Sequence, residues 1–170
     1  MKSLIFLATI VAASAFVRTR TVSPKADAAF SYHLQGTKVS GGVVDEILMN
    51  NTGIVTQTEK GKKLQFFLND AYDEKADAFS HSLRFAIPGK TGSVSLKTDD
   101  DDGNVQLFIA AGADGKYNLY GNEAFTVTIS SINATRVSGT FSGKMKGVMG
   151  KTDEETITDG KFDIPVRAGK

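Results

Sequence analysis

Apolar and polar residues alternate with a period of two along most of the chain from Phe30 onward. In an extended strand this alternation places the apolar side chains on one face and the polar side chains on the other. The clearest apolar positions are Leu64, Phe66, Leu68, Leu83, Phe85, Ile87, Val105, Leu107, Ile109, Phe125, Val127 and Ile129. The pattern predicts β-strands that each bury one face.

A further strand is predicted where glycines share the apolar face. Val137, Phe141 and Met145 have the same parity as Gly139 and Gly143. Glycine inside a strand indicates a bend or a close approach of another backbone. We therefore expect a bend or a close backbone approach at this segment.

Turn residues divide the chain into short segments. They occur at 51–53, 60–61, Gly89, 102–103, 112–115 and 159–160. This spacing predicts an all-β domain over residues 29–168, an antiparallel two-sheet β-sandwich of roughly eight to ten strands, with a lipocalin-like β-barrel as the alternative.

Two shorter segments carry local predictions of their own. Asp159-Gly160 is predicted to be the turn of a hairpin between 155–158 and 162–166, because Asp-Gly is a strong hairpin signal. Residues 42–49 fit a short helix or a strand almost equally well.

The N-terminal segment has the composition of a secretory signal peptide. Lys2 precedes an apolar run over 4–13, and Ala13-Ser14-Ala15 fits a cleavage site. A membrane anchor is the alternative, but the run is shorter than the roughly 20 residues that a spanning helix needs. We expect a signal peptide at 1–15, a flexible leader at 16–28, and an exported protein without a membrane anchor.

Charge and cysteine content exclude several classes of partner and bond. Removal of Lys2 with the signal peptide leaves 19 basic residues against 19 acidic residues, so net charge does not indicate binding to nucleic acid or to anionic membranes. The chain contains no cysteine, which excludes disulfides and thiolate zinc sites. One hydrophobic core must therefore hold the exported domain together.

Four consecutive aspartates, Asp99, Asp100, Asp101 and Asp102, are the only candidate metal ligands that the sequence offers as a run. A helix-loop-helix calcium loop is excluded, because Thr98 and Ile109 occupy the positions where that loop needs acids. A looser Ca²⁺ site is one interpretation. A solvated turn at Asp102-Gly103 is the favoured one, since a single acidic run seldom supplies six oxygens.

A second acidic loop strengthens the calcium interpretation if the fold brings the two loops together. Its residues are Asp70, Asp73, Glu74 and Asp77. The sequence predicts no other cofactor.

Catalytic motifs are not evident. The two histidines, His33 and His81, are interpreted as ordinary edge or surface residues. Ser80 and Ser82 flank His81, but the sequence around them lacks the Gly-x-Ser-x-Gly pattern of a nucleophile elbow. We expect a protein that is not an enzyme, with a small hydrolase using His81 as the alternative.

Two kinds of surface are candidates for ligand binding. Phe67 and Phe108 have the opposite parity to the apolar faces of their strands, so each is exposed or, as we expect, covered by another segment. Tyr117 and Tyr120 are further aromatics that could reach a surface. Thr and Ser rows form a second candidate face at Thr126, Thr128, Ser138, Thr140 and Ser142.

The C-terminal third carries the sequences "FTVTISSINATRVSGTFSGKM" and "ETITDGKFDIP". In these segments the chain resembles a group of uncharacterised exported or lipid-anchored β-sandwich proteins of Gram-negative bacteria. The resemblance implies a bacterial protein with an exported two-sheet sandwich that is periplasmic or extracellular, and it supplies no catalytic residues. The chain departs from the group in having no lipobox cysteine, and the Asp99 to Asp102 run is not shared.

These observations predict an exported, non-enzymatic binding or surface-associated module. The expected partner is a protein or a glycan, and the expected state is a monomer. A small secreted hydrolase and a self-associating structural component of the cell surface are the alternatives.

Overall fold

The structure is a computed structural model, and it describes residues 29–41, 54–57, 63–70, 72–73, 78–97, 105–111, 117–148 and 150–168. The strands in these ranges are β1 (Phe30–Leu34), β2 (Thr37–Gly41), β3 (Ile54–Gln57), β4 (Lys63–Asn69), β5 (Tyr72–Asp73), β6 (Ala78–Phe79), β7 (His81–Pro88), β8 (Gly92–Leu96), β9 (Gln106–Ala110), β10 (Tyr117–Ile132), β11 (Arg136–Gly147) and β12 (Glu154–Ala168). Within the described ranges, no helix is long and apolar enough to cross a membrane.

The main strands join in one sheet. Nine of them follow the order β11-β10-β9-β7-β4-β3-β12-β1-β2, and β8 is attached to β10 as the tenth. Every pairing in this sheet is antiparallel except the short parallel contact between β3 and β12. The prediction of an all-β antiparallel protein is confirmed.

The sheet curls into a half-barrel, and its two longest strands each pair with two different strands along one edge. β10 pairs with β9 through 117–121 and with β8 through 125–129. β12 pairs with β1 through 157–162 and with β3 through 166–168. A two-sheet sandwich is not shown by the described residues, since the main strands belong to one continuous sheet.

The predicted hairpin at Asp159-Gly160 is wrong, because both residues lie inside β12. The register between β11 and β12 shifts between Phe141 and Gly143, where β12 carries one extra residue. Asp159 has a φ of 53° at this β-bulge. A tight turn and a bulge both favour a residue that tolerates positive φ, so Asp-Gly alone does not distinguish them.

The inner face of the curled sheet holds the core. Nearly all of the apolar positions predicted from the alternation are buried there, and Ile109 is half-buried against them. Phenylalanine rings meet across the curl: the centroids of Phe66 and Phe162 are 5.1 Å apart, and those of Phe85 and Phe125 are 5.5 Å apart. Burying each such side chain contributes roughly 1.5–3 kcal/mol to stability.

Four glycines lie directly opposite phenylalanines on neighbouring strands. The pairs are Gly41 with Phe30, Gly143 with Phe125, Gly139 with Phe162 and Gly160 with Phe141. A Cβ atom at any of these glycines would collide with the paired ring and with a backbone oxygen. The close approach predicted at Gly139 and Gly143 is therefore confirmed, and it lets the aromatic rings lie flat against the inner face.

Several predictions fall outside the described residues. They concern the signal peptide at 1–15, the leader at 16–28, the segment 42–49 and the four aspartates Asp99 to Asp102. These remain predictions from the sequence.

Candidate functional site

The outer face of β10, β11 and β12 carries a shallow groove of about 290 Å³, which we call the hydroxyl groove. It is lined by Thr126, Thr128, Thr140, Phe141, Ser142, Asp159, Gly160 and Lys161. Its volume is at the lower limit of ordinary ligand pockets, about 300 Å³. Four of the five residues predicted as a hydroxyl face line this groove, and the fifth, Ser138, is not part of the lining.

Hydroxyl groups follow two rows across the strands of this face. In the first row, Thr128 lies between Ser93 of β8 and Thr140 of β11. In the second row, Thr126 lies between Ser95 and Ser142. The Oγ of Ser93 lies 2.8 Å from the Oγ1 of Thr128, which links two strands of the first row.

The inner face explains why these hydroxyls point outward. Phe125, Val127 and Phe141 are almost fully buried, and each has hydroxyl-bearing neighbours along its strand. A shift of the register by one residue would expose the aromatic rings and bury the hydroxyls, so packing of the core specifies the outward row. Threonine also suits an exposed strand position through its β-branched side chain.

The β-bulge in β12 directs a carboxylate to one side of the hydroxyl groove. The side chain of Asp159 is 73% exposed, and its Oδ2 lies 3.4 Å from the Nδ1 of His33. Lys161 lies opposite Thr140 in the same lining. The extra residue of a bulge re-aims neighbouring side chains, and bulges are often found beside binding sites.

This lining suits a ligand that both donates and accepts hydrogen bonds. Threonine and serine hydroxyls do both, the carboxylate of Asp159 accepts, and the ammonium group of Lys161 donates. Arg136 and Asp163 continue the outer face as an ion pair, with 3.0 Å between Nε and Oδ1. The groove thus offers several polar contacts without an excess of either charge.

His81 has a different environment from the one expected of an ordinary surface histidine. Its Nδ1 lies 2.8 Å from the Oδ2 of Asp70, and its side chain is 26% exposed. Ser82 instead accepts a hydrogen bond from the Nε of Arg84 at 3.3 Å. Within the described part of the chain, His81 is paired with Asp70, and no serine hydroxyl is hydrogen-bonded to it.

Phe67 and Phe108 are half-buried on the outer face of the sheet. The guanidinium group of Arg84 lies over both rings, 5.9 Å from the centroid of Phe67 and 4.9 Å from that of Phe108. Cation–π contacts of this kind stabilise partly exposed rings. Among the described residues, the two rings are therefore covered by an arginine side chain rather than by a loop.

The two tyrosines differ in exposure. Tyr117 is 39% exposed, and its ring meets that of Phe108 edge-on. Tyr120 is buried, and its hydroxyl donates a hydrogen bond of 2.6 Å to the Oδ2 of Asp153. This hydrogen bond is the main cause that raises the pKa of Tyr120 to about 12. Tyr120 is therefore part of the structure's interior and not a surface aromatic.

The acidic loops are only partly within the described residues. Asp99 to Asp102, Glu74 and Asp77 lie outside them, and Asp70 is engaged with His81. Among the residues that the structure describes, no group of three or more histidines, cysteines and acids is placed to hold a metal ion. The Ca²⁺ hypothesis for Asp99 to Asp102 stays a prediction.

Sequence reasoning missed Asp159 and Lys161 as groove residues. It interpreted Asp159-Gly160 as the turn of a hairpin. The available signal was the parity of Lys161, which opposes that of the buried Phe162 and Ile164.

Comparisons of the chain with models of known protein families, with curated proteins and with solved structures found no match.

Proposed function

We propose that the protein is an exported, non-enzymatic binding domain that holds a glycan in the hydroxyl groove. The observation that carries this proposal is the concave row of hydroxyls beside a bulged carboxylate on the outer face of β10 to β12. The signal-peptide pattern at 1–15 supports export, and the resemblance to exported β-sandwich proteins of Gram-negative bacteria agrees with it.

A glycan fits the chemistry of the lining better than an apolar ligand does. Sugar hydroxyls donate and accept hydrogen bonds, as do Thr126, Thr128, Thr140 and Ser142. Adjacent strands of a sheet lie about 4.8 Å apart, so the rows present hydroxyls at regular intervals along an extended ligand. The charges of Asp159 and Lys161 balance, which favours a neutral saccharide.

We also propose a barrel, rather than a sandwich, as the finer architecture of the domain. Support comes from β12, which pairs with β11 along one edge and with β3 through 166–168 on the other. From β3 the pairing continues through β4, β7, β9 and β10 to β11, which pairs with β12 again and closes the ring of strands. In such a scaffold the hydroxyl groove lies on the outside, and the monomer is complete without a partner.

Titration calorimetry of the purified protein with chitotetraose, cellotetraose and maltotetraose tests the proposed function. At least one oligosaccharide is expected to bind. Thr128→Val and Ser142→Ala each remove one groove hydroxyl and should weaken binding about two- to tenfold, the effect of one hydrogen bond. Thr37→Val, at an exposed position of β2, is the matched control and should bind as the unaltered protein does.

The same samples separate the alternatives. Absence of binding by all three oligosaccharides, or equal binding by the groove variants, would show that the hydroxyl groove is not a glycan site. Release of shorter saccharides that disappears in His81→Ala would instead favour the hydrolase. Concentration-dependent sedimentation without any ligand would favour the self-associating component.

A further inference from the structure

An arginine and three aromatic side chains meet on the outer face of β4, β7, β9 and the first half of β10. We call this surface the aromatic patch, and its members are Phe67, Arg84, Phe108 and Tyr117. Phe67 lies directly opposite Arg84 in the pairing of β4 with β7. The rings of Phe108 and Tyr117 meet edge-on, with 6.3 Å between their centroids. The hydroxyl groove uses the second half of β10 with β11 and β12, so the two surfaces share no residue.

The guanidinium group of Arg84 is restrained although the side chain is exposed. It lies 4.9 Å from the centroid of Phe108 and 5.9 Å from that of Phe67. Its Nε also donates a hydrogen bond of 3.3 Å to the Oγ of Ser82, a residue that is 4% exposed. Contact with the rings and this hydrogen bond together limit the orientations of the guanidinium plane. The two terminal nitrogens form the fork that binds a carboxylate through two parallel hydrogen bonds.

Arg136 is an exposed arginine of the same sheet with different surroundings. It donates from Nε to the Oδ1 of Asp163 at 3.0 Å and from a terminal nitrogen to the carbonyl of Asp163 at 2.9 Å. Its charge is therefore balanced within the chain. The residues paired with Arg84 on the neighbouring strands are Phe67 and Gln106, which are both uncharged. Among the neighbours that the structure describes, the charge of Arg84 thus lies beside aromatic and amide groups.

The aromatic part of the patch is open to contact. Tyr117 is 39% exposed, and Phe108 is half-buried. Leu119, opposite Phe108 in the pairing of β9 with β10, is half-buried as well. Arginine and tyrosine are enriched among the residues that contribute most to protein–protein binding. The composition of the patch is therefore typical of a docking surface.

We propose that the aromatic patch docks a segment of a partner protein in which an acidic side chain lies between aromatic side chains. The carboxylate binds the terminal N–H groups of Arg84, and the aromatic side chains pack against Phe67 on one side and Tyr117 on the other. In an extended segment, alternate side chains point the same way and lie about 7 Å apart. An aromatic-x-acid-x-aromatic order therefore presents all three side chains to the sheet. This inference goes beyond the glycan-binding function and does not depend on it.

Two acetylated and amidated pentapeptides test the docking surface. Their sequences are Phe-Ser-Glu-Ser-Phe and Phe-Ser-Gln-Ser-Phe, which differ only in the central charge. The backbone amide signal of Phe108, followed by nuclear magnetic resonance, should shift and saturate with the glutamate peptide. The glutamine peptide should bind at least about tenfold more weakly, because it offers no charge-assisted hydrogen bond.

Variants assign the binding to particular side chains. Arg84→Lys keeps the charge but not the planar fork, and it should weaken binding of the glutamate peptide about tenfold. Tyr117→Ala should weaken binding of both peptides about two- to tenfold. Arg136→Lys, at the arginine already paired with Asp163, is the matched control and should bind normally. Thr128→Val should also bind normally, so failure of the glycan test would leave this result unaffected.

Four outcomes would overturn the proposal. The peptide pair uses the unaltered protein, so no saturable shift would show that the patch does not dock such a segment, and equal affinities would show that charge is not recognised. A shift with protein concentration alone would assign the patch to a second copy of the chain. A shift caused by Asp45→Asn or Glu46→Gln without peptide would assign it to the chain's own segment 42–53.

Discussion

The two faces of β10, β11 and β12 present opposite surfaces from the same strands. On the inner face, large aromatic rings lie opposite glycines, and a Cβ atom at Gly139 would already collide with Phe162. On the outer face, hydroxyl side chains at similar positions line an open groove. The inner face therefore constrains each residue, whereas the outer face leaves its residues available for binding.

The β-bulge in β12 contributes a residue to each of the two faces. Gly160 packs beneath the ring of Phe141 on the inside, and Asp159 projects outward beside the groove. One inserted residue thus serves tight packing and places a carboxylate at the candidate site. The contrast between the faces leads to predictions that differ in size.

Gly139→Ala is expected to have the largest effect. The new Cβ would approach the backbone oxygen of Thr128 and lie 2.7 Å from the Phe162 ring, so the core must shift. We expect a loss of about 2–3 kcal/mol of unfolding free energy, measured by urea denaturation. Ser138→Ala, the neighbouring position, should change it by less than about 0.5 kcal/mol. Equal costs for the two variants would mean that the inner face is not tightly packed there.

Asp159→Gly should change stability by a smaller amount and in the opposite direction. The residue adopts a φ of 53°, which glycine tolerates better than aspartate, so stability should rise by up to about 1 kcal/mol. The same change removes the groove carboxylate and should weaken oligosaccharide binding in the calorimetric assay. Asp163→Gly, elsewhere on β12, is the matched control and should destabilise the protein. Destabilisation by Asp159→Gly would show that its side chain holds the bulge in place.

Tyr120→Phe should alter the acid dependence of stability. The hydrogen bond from Tyr120 lowers the pKa of Asp153 below its ordinary value of 3.8. A lowered folded-state pKa contributes stability above the ordinary value, and this stability is lost as pH falls through the folded-state pKa. Thermal unfolding between roughly pH 5 and 2 should therefore decline less steeply in Tyr120→Phe than in the unaltered protein.

Glu155→Gln is a control, because Glu155 should affect the pH dependence of stability in the opposite direction. Because burial raises the pKa of Glu155, its contribution is present at low pH and is lost as pH rises from the ordinary value of 4.5 through the folded-state pKa. In Glu155→Gln this loss of stability with rising pH should be absent. Parallel pH profiles for Tyr120→Phe and the unaltered protein would contradict the role of the hydrogen bond.

Calcium should have the smallest effect. If Asp99 to Asp102 form a solvated turn, as the sequence favours, the melting temperature should be the same in Ca²⁺ and in chelator. A cation that binds only the native state would raise it by mass action. An increase that disappears in Asp100→Asn and Asp102→Asn would make this run a metal site.

Much of the inner face could be predicted because alternation is a local property. The burial of Phe66, Phe85 and Phe125 follows from the parity of each strand by itself. The threonine row could be predicted for the same reason. The bulge could not, since Asp159-Gly160 is compatible with a turn until the pairing of β11 with β12 is known.

The contact between Asp70 and His81 could not be predicted from local patterns. Both residues are visible in the sequence, but nothing in their own segments indicates that their side chains meet. Their contact depends on the end of β4 lying beside the start of β7. The pairing of two strands is decided by packing between segments and not within either one.

The sequence by itself determined the fold class, the parity of the strands and the set of hydroxyls on one face, because neighbouring residues in a strand must point to opposite sides. The tertiary structure decided which strands became neighbours, where β12 bulges and that the side chains of Asp70 and His81 meet. Those features depend on how the aromatic rings and glycines of distant strands fit against each other.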